Sequence, residues 1–152
     1  AIGGKLNIFY QENFHKKSKL INTGFAIGIK DSKRTAYDWH QEKPYYSDVD
    51  TIHFQFPILY PCNKDNGSMS VLEGSQKLGY LEEVSNLKIH EKAVNTLLPK
   101  KIETFKKTYA EKYLNMSLRD VCLFDQNIIH RSNLNMTDKV RFAGIIRLEI
   151  MR

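Results

Sequence analysis

Alternation of apolar and polar residues at a period of two runs through most of the chain and predicts β structure. Thr51 to Phe56 (TIHFQF) shows it most cleanly, with Thr51, His53 and Gln55 on one face and Ile52, Phe54 and Phe56 on the other. Lys5 to Gln11 (KLNIFYQ) reads as a first short strand by its alternation and aromatics, followed by a polar loop over Glu12 to Lys19. Phe25 to Lys30, Ser68 to Leu72, Tyr113 to Met116 and Val121 to Phe124 read as further strands. Val140 to Ile150 (VRFAGIIRLEI) is the longest, apolar enough to be covered on both faces. Turn-forming residues separate them at Asp31-Ser32-Lys33-Arg34, Lys64-Asp65-Asn66-Gly67 and Glu73-Gly74-Ser75-Gln76. Helical spacing is read in one region, Val84 to about Ala110, where Ile102, Phe105 and Tyr109 recur and Pro99 suits a first turn. Many short strands with one helical insertion predict two packed antiparallel sheets.

Some polar residues in this pattern carry chemistry. In an extended segment residues i and i+2 point the same way, so His40 and Glu42 are able to reach one ion together. Far downstream, His130 follows the apolar pair Ile128-Ile129, and a buried imidazole needs a metal or a hydrogen bond for its nitrogens. Two histidines and one carboxylate leave coordination positions open, as in non-haem Fe(II) oxygenases. Arg141 has Ala143 and Ile145 as its period-two neighbours, so its face reads as interior. A guanidinium there calls for an anion, and its planar fork matches a carboxylate; a salt bridge to Asp125 or Asp138 is the plainer alternative. Gln41, Tyr45 and Tyr46 flank the His-x-Glu pair, and His53 shares a face with Gln55, which makes these four candidates to line a pocket.

Composition narrows the class. With 152 residues, 41% hydrophobic and 26% charged, one globular domain over 1–152 is expected. The net charge of +6 comes from dispersed lysines, which speaks against a nucleic-acid partner and favours an anionic small molecule. No apolar run approaches a membrane span. Cys62 and Cys122 lack a metal-binding spacing and read as reduced thiols in a cytoplasmic protein.

Taken together, Trp39-His40-Gln41-Glu42-Lys43-Pro44-Tyr45, Asn66-Gly67-Ser68-Met69, Leu72-Glu73-Gly74-Ser75-Gln76-Lys77-Leu78-Gly79, and Arg119-Asp120-Val121-Cys122-Leu123-Phe124-Asp125 leading to His130-Arg131-Ser132 resemble the phytanoyl-CoA dioxygenase family of Fe(II)/2-oxoglutarate oxygenases. Order and spacing match from roughly Gly24 to Ile150. Two positions depart from the family pattern: Glu42 stands where it usually has Asp, and Gln76 where it usually has His. The resemblance implies a double-stranded β-helix, a relative of jelly rolls and cupins, preceded in the family by a largely helical N-terminal portion that this chain is expected to lack. It implies Fe(II) held by His40, Glu42 and His130, with 2-oxoglutarate bound by Arg141 and Ser132, and Gln76 nearby. The implied reaction uses O2 to oxidise a small-molecule C–H bond while 2-oxoglutarate yields succinate and CO2. The alternatives are a cupin-like metalloprotein that does without 2-oxoglutarate and a relative that has lost catalysis.

Overall fold

The computed structural model describes residues 2–46, 48–82, 84–89, 92–97 and 99–151, of which 84–89, 92–95 and 99 are described by backbone alone. In chain order the elements are α1 (Ile2–Phe14), β1 (Ser18–Gly28), β2 (Asp50–Pro57), β3 (Met69–Leu72), β4 (Val84–Ile89), β5 (Lys92–Leu97), α2 (Pro99–Lys106), β6 (Glu111–Tyr113), β7 (Cys122–Asp125), β8 (His130–Ser132) and β9 (Arg141–Ile150). A major sheet has the order β1-β9-β2-β7 and a minor one β6-β3-β8, every pairing antiparallel. This is the predicted mainly β fold, two antiparallel sheets forming a double-stranded β-helix.

The alternation of β2 works as its sequence implies. Phe54, with Ile146 and Leu148 of β9, packs on the outer face of the major sheet around Tyr10 of α1. Thr51, His53 and Gln55 point the other way and are also buried. Between the sheets, Met69 and Val71 of β3 meet Phe124 of β7, while Cys62 and Met116 meet Ala143 of β9. Outside the minor sheet, Trp39, Leu72 and Ile129 pack on Leu97 and on Ile102 of α2. β9 is thus covered on both faces, as expected of the longest strand. At Gly144 the absence of a side chain is required: a Cβ there would stand 2.5 Å from the Phe56 ring.

Three expectations are corrected. Residues 5–11 are helix, not strand. Leu6 and Tyr10, one helical turn apart, face the core, while Ile8 and Phe9 between them are exposed. The helix is tied to β1 where Ser18 Oγ donates to Asn7 Oδ1 (2.7 Å) and Gln11 Nε2 to the Ser18 carbonyl (2.7 Å). The helix expected from Val84 to Ala110 is instead the hairpin β4–β5 followed by α2. Pro99 explains the boundary, since a helix running through it would lose a backbone bond and clash with the preceding turn. Thirdly, β6 covers Glu111–Tyr113, so the strand expected over Tyr113 to Met116 lies earlier in the chain. No described helix is long and apolar enough to cross a membrane.

Candidate metal centre

Trp39 to Glu42 joins the minor sheet through one bridge, at His40, and by Glu42 the backbone has entered the right-handed helical region at the start of a short 3-10 helix. His40 and His130 exchange backbone hydrogen bonds, His40 N–H to the His130 carbonyl (2.9 Å) and the reverse (3.0 Å). Alternation then sorts the side chains. Trp39 turns outward into the core, with the Arg131 guanidinium over its ring at 4.7 Å. Gln41 also turns away: its amide donates to the carbonyls of Gly79 (2.9 Å) and Asn127 (2.5 Å) and accepts from Leu81 N–H (2.9 Å). His40 and Glu42 turn inward. The Glu42 and Lys43 N–H groups both donate to the Gln126 carbonyl, at 2.9 and 3.2 Å, which fixes the backbone beneath the carboxylate.

The two histidines are oriented alike. His40 Nδ1 lies 2.6 Å from the Asp38 carbonyl and His130 Nδ1 3.0 Å from the Ile128 carbonyl, so each Nδ1–H is committed to a backbone oxygen two residues back. Their Nε2 atoms face Glu42 Oε1 at 3.9 and 3.5 Å. Donor atoms of all three side chains lie within 4.8 Å of one another, the one such group of metal-ligating residues among the described residues. A place bounded by two imidazole nitrogens and a carboxylate oxygen is filled by a proton or by a cation, and the donor set fits a divalent metal of the N/O-preferring kind.

Electrostatics favour the metal-ready state. Burial, followed by the charge of His130, lowers His40 to about 4. Burial pushes the Glu42 carboxyl up, but the hydrogen bond and charge of His130, with the charges of His53 and Arg147, outweigh it and hold the group well below the usual carboxylate range. Burial also lowers His53 to about 3. In an unfolded chain a histidine titrates near about 6.5. The unfolded chain therefore takes up more protons than the folded one as pH falls from about 6.5 towards about 4, and stability is lost across that window. Denaturant midpoints of the chelator-treated protein are expected to fall between about pH 7 and about pH 5. A constant midpoint would mean that His40 and His53 protonate freely in the folded chain.

The other predicted residues distribute unevenly. A cavity of about 440 Å³ opens beside the triad; Tyr45, Tyr46 and Ser132 line it, and so do His40, Glu42 and His130. His53 is fully buried and sits behind Glu42, with its Nδ1 4.0 Å from Oε2. Gln76 is exposed in a short 3-10 helix over Ser75–Leu78 and is not on the cavity wall. Gln41 is likewise absent from that wall, its amide being spent on backbone. Arg141 is 2% exposed, and its Nε and Nη2 have no acceptor in the protein. Neither acid considered for it is a partner: Asp138 pairs with Lys30 at 2.6 Å, and Asp125 Oδ1 accepts from Asn127 N–H at 2.7 Å. Two buried N–H groups without an acceptor fit a carboxylate arriving from outside the chain. Arg147 was not singled out in the sequence, yet it lines the cavity with Nη2 3.6 Å from Glu42 Oε2. Its signal was available, because it continues the period-two face of Arg141, Ala143 and Ile145.

Comparison with known proteins bears on the family and the fold. The family model described as Phytanoyl-CoA dioxygenase (PhyH) matches residues 7–143. No curated protein sequence matches the chain. EctD from S. alaskensis with bound Fe superposes with a TM-score of 0.70 at 15% identity, over 96% of this chain and 50% of EctD. EvdO2 from Micromonospora carbonacea var. aurantiaca, complexed with 2-oxoglutarate, gives 0.69 at 11% identity, over 88% and 52%. AviO1 from Streptomyces viridochromogenes Tue57 gives 0.67 at 14%, over 95% and 57%. At such identities the likeness speaks to the fold. The chain spans about half the length of these three structures.

Proposed function

Because the chain belongs to the phytanoyl-CoA dioxygenase family, we propose that it is an Fe(II)- and 2-oxoglutarate-dependent oxygenase that hydroxylates a C–H bond of a small molecule. In the balanced reaction one oxygen atom of O2 enters the substrate as hydroxyl and the other enters succinate, as 2-oxoglutarate loses CO2. The observation that carries the reading is the convergence of His40, Glu42 and His130 on one point, with both Nδ1 atoms already committed to carbonyls. Bound there, iron supplies the activation of O2 at the expense of 2-oxoglutarate.

The chain's own residues supply position and shielding. His40, Glu42 and His130 would hold the ion, and all three line the cavity. Arg141 offers its two unpartnered N–H groups to the distal carboxylate of 2-oxoglutarate, and the Ser132 hydroxyl supports it from the cavity wall. Tyr37, Tyr45 and Tyr46 wall the remaining space with rings that exclude water and hydroxyls that orient a polar substrate. The net charge of +6 favours an anionic substrate. The free thiols Cys62 and Cys122 suit the reducing cytoplasm.

Slow conversion of 2-oxoglutarate to succinate is expected with Fe(II) in air, even without substrate. It is expected to stop on chelation and return with added Fe(II). Succinate formation indifferent to the chelator would contradict the proposal.

A further inference from the structure

The two oxygens of Glu42 face different surroundings. Oε1 looks toward His40 and His130, whereas Oε2 looks toward Arg147 Nη2 (3.6 Å) and His53 Nδ1 (4.0 Å). We propose that Arg147 is a positioning residue that keeps Glu42 to one oxygen on the metal, so that the carboxylate does not close over the coordination site that 2-oxoglutarate needs. The proposal rests on the metal-triad reading above.

Hydrogen-bond directions decide between Arg147 and His53 as the partner of Oε2. Gln126 Oε1 accepts from Thr51 N–H (3.0 Å) and from Thr51 Oγ1–H (2.9 Å), while Gln126 Nε2 donates to Asp50 Oδ1 (3.1 Å). With its proton given to Gln126, Thr51 Oγ1 accepts from His53 Nε2–H at 2.8 Å. His53 Nδ1 is therefore a bare lone pair, and it has no hydrogen-bond partner. A lone pair gives a carboxylate oxygen nothing to bind. Arg147, a cation within ion-pair distance of Oε2, is the partner on that side.

Arg147 is built to stay there. Its Cα is paired with His53 across β2 and with Asn22 across β1, so its backbone is held from both sides. Its guanidinium lies over the Tyr46 ring at 5.8 Å, and the Tyr46 hydroxyl accepts from Asn22 Nδ2 at 3.4 Å. A carboxylate can present one oxygen or both to a cation, and a glutamate, with one more rotatable bond than the aspartate usual in the family, has more freedom to turn between the two. An ion pair on Oε2 removes that freedom.

The test uses anaerobic Fe(II) and 2-oxoglutarate titrations of wild type, Arg147→Met, Arg147→Lys, Glu42→Asp and the Glu42→Asp/Arg147→Met double variant, with urea midpoints for each. Arg147→Met is expected to keep Fe(II) affinity within a few fold, and to bind 2-oxoglutarate about tenfold or more weakly once iron is loaded. Arg147→Lys should recover part of the loss, since it restores the charge without the fork. In the Glu42→Asp background, where the shorter acid is drawn back from Arg147, the Met substitution should add little. Unchanged 2-oxoglutarate affinity in Arg147→Met overturns the proposal, and so does an equal loss in both backgrounds. A wild type that binds no Fe(II) at all overturns the triad reading beneath it instead.

Discussion

Replacing His130 with alanine is expected to lower Fe(II) affinity by at least about a hundredfold and to abolish succinate formation. The size follows from the donor count. Removing one Nε2 leaves two donors, and the described residues contain no other group of metal-ligating side chains to take its place. The backbone bonds between residues 40 and 130 survive the substitution, because both use main-chain atoms. Urea unfolding of the chelator-treated variant separates lost ligation from lost packing: the midpoint is expected to move far less than the metal affinity. Fe(II) binding that survives in His130→Ala would place the ion elsewhere.

Arg141→Met is expected to raise the KM for 2-oxoglutarate roughly a hundredfold while changing kcat far less. Truncating one partner of a buried, hydrogen-bonded charge pair costs about 2–5 kcal/mol, and each tenfold in affinity is about 1.4 kcal/mol. A hundredfold is about 2.8 kcal/mol, which lies within that range, and Arg141 meets its conditions. It is nearly inaccessible, two of its nitrogens lack a protein acceptor, and the Cys62 thiol is a hydrogen-bonding neighbour. Gly28 opposite it in the sheet leaves the room, since a Cβ there would lie 3.0 Å from Arg141 Nε. Methionine keeps the volume and removes the charge. An unaltered KM would make Arg141 a structural cation and assign the cosubstrate's carboxylate to another group.

Much of this was legible in the residues, and the failures have physical causes. The β2 alternation was clear because each face meets a different packing partner, Tyr10 outside and the site inside. The His-x-Glu pair was legible although it is not a strand: only His40 is bridged and Glu42 is already in the right-handed helical region, yet the two side chains converge. The helix α1 was misread because its aromatics mimic a strand while the informative pair, Leu6 and Tyr10, is only two residues long. The helical signals cited for Val84 to Ala110 all fell at or after Pro99, and the segment before it forms a hairpin. Gln76 was placed near the site by family register alone, and its side chain is exposed. Arg147 was overlooked although the period that turned Arg141 inward turns it inward too.

The most direct measurement is an anaerobic absorption spectrum of the Fe(II)-loaded chain as 2-oxoglutarate is added. A visible metal-to-ligand band that saturates with 2-oxoglutarate is expected in the wild type and is expected to be lost in His130→Ala. A wild type that binds iron but shows no such band at any 2-oxoglutarate concentration would contradict the proposed function.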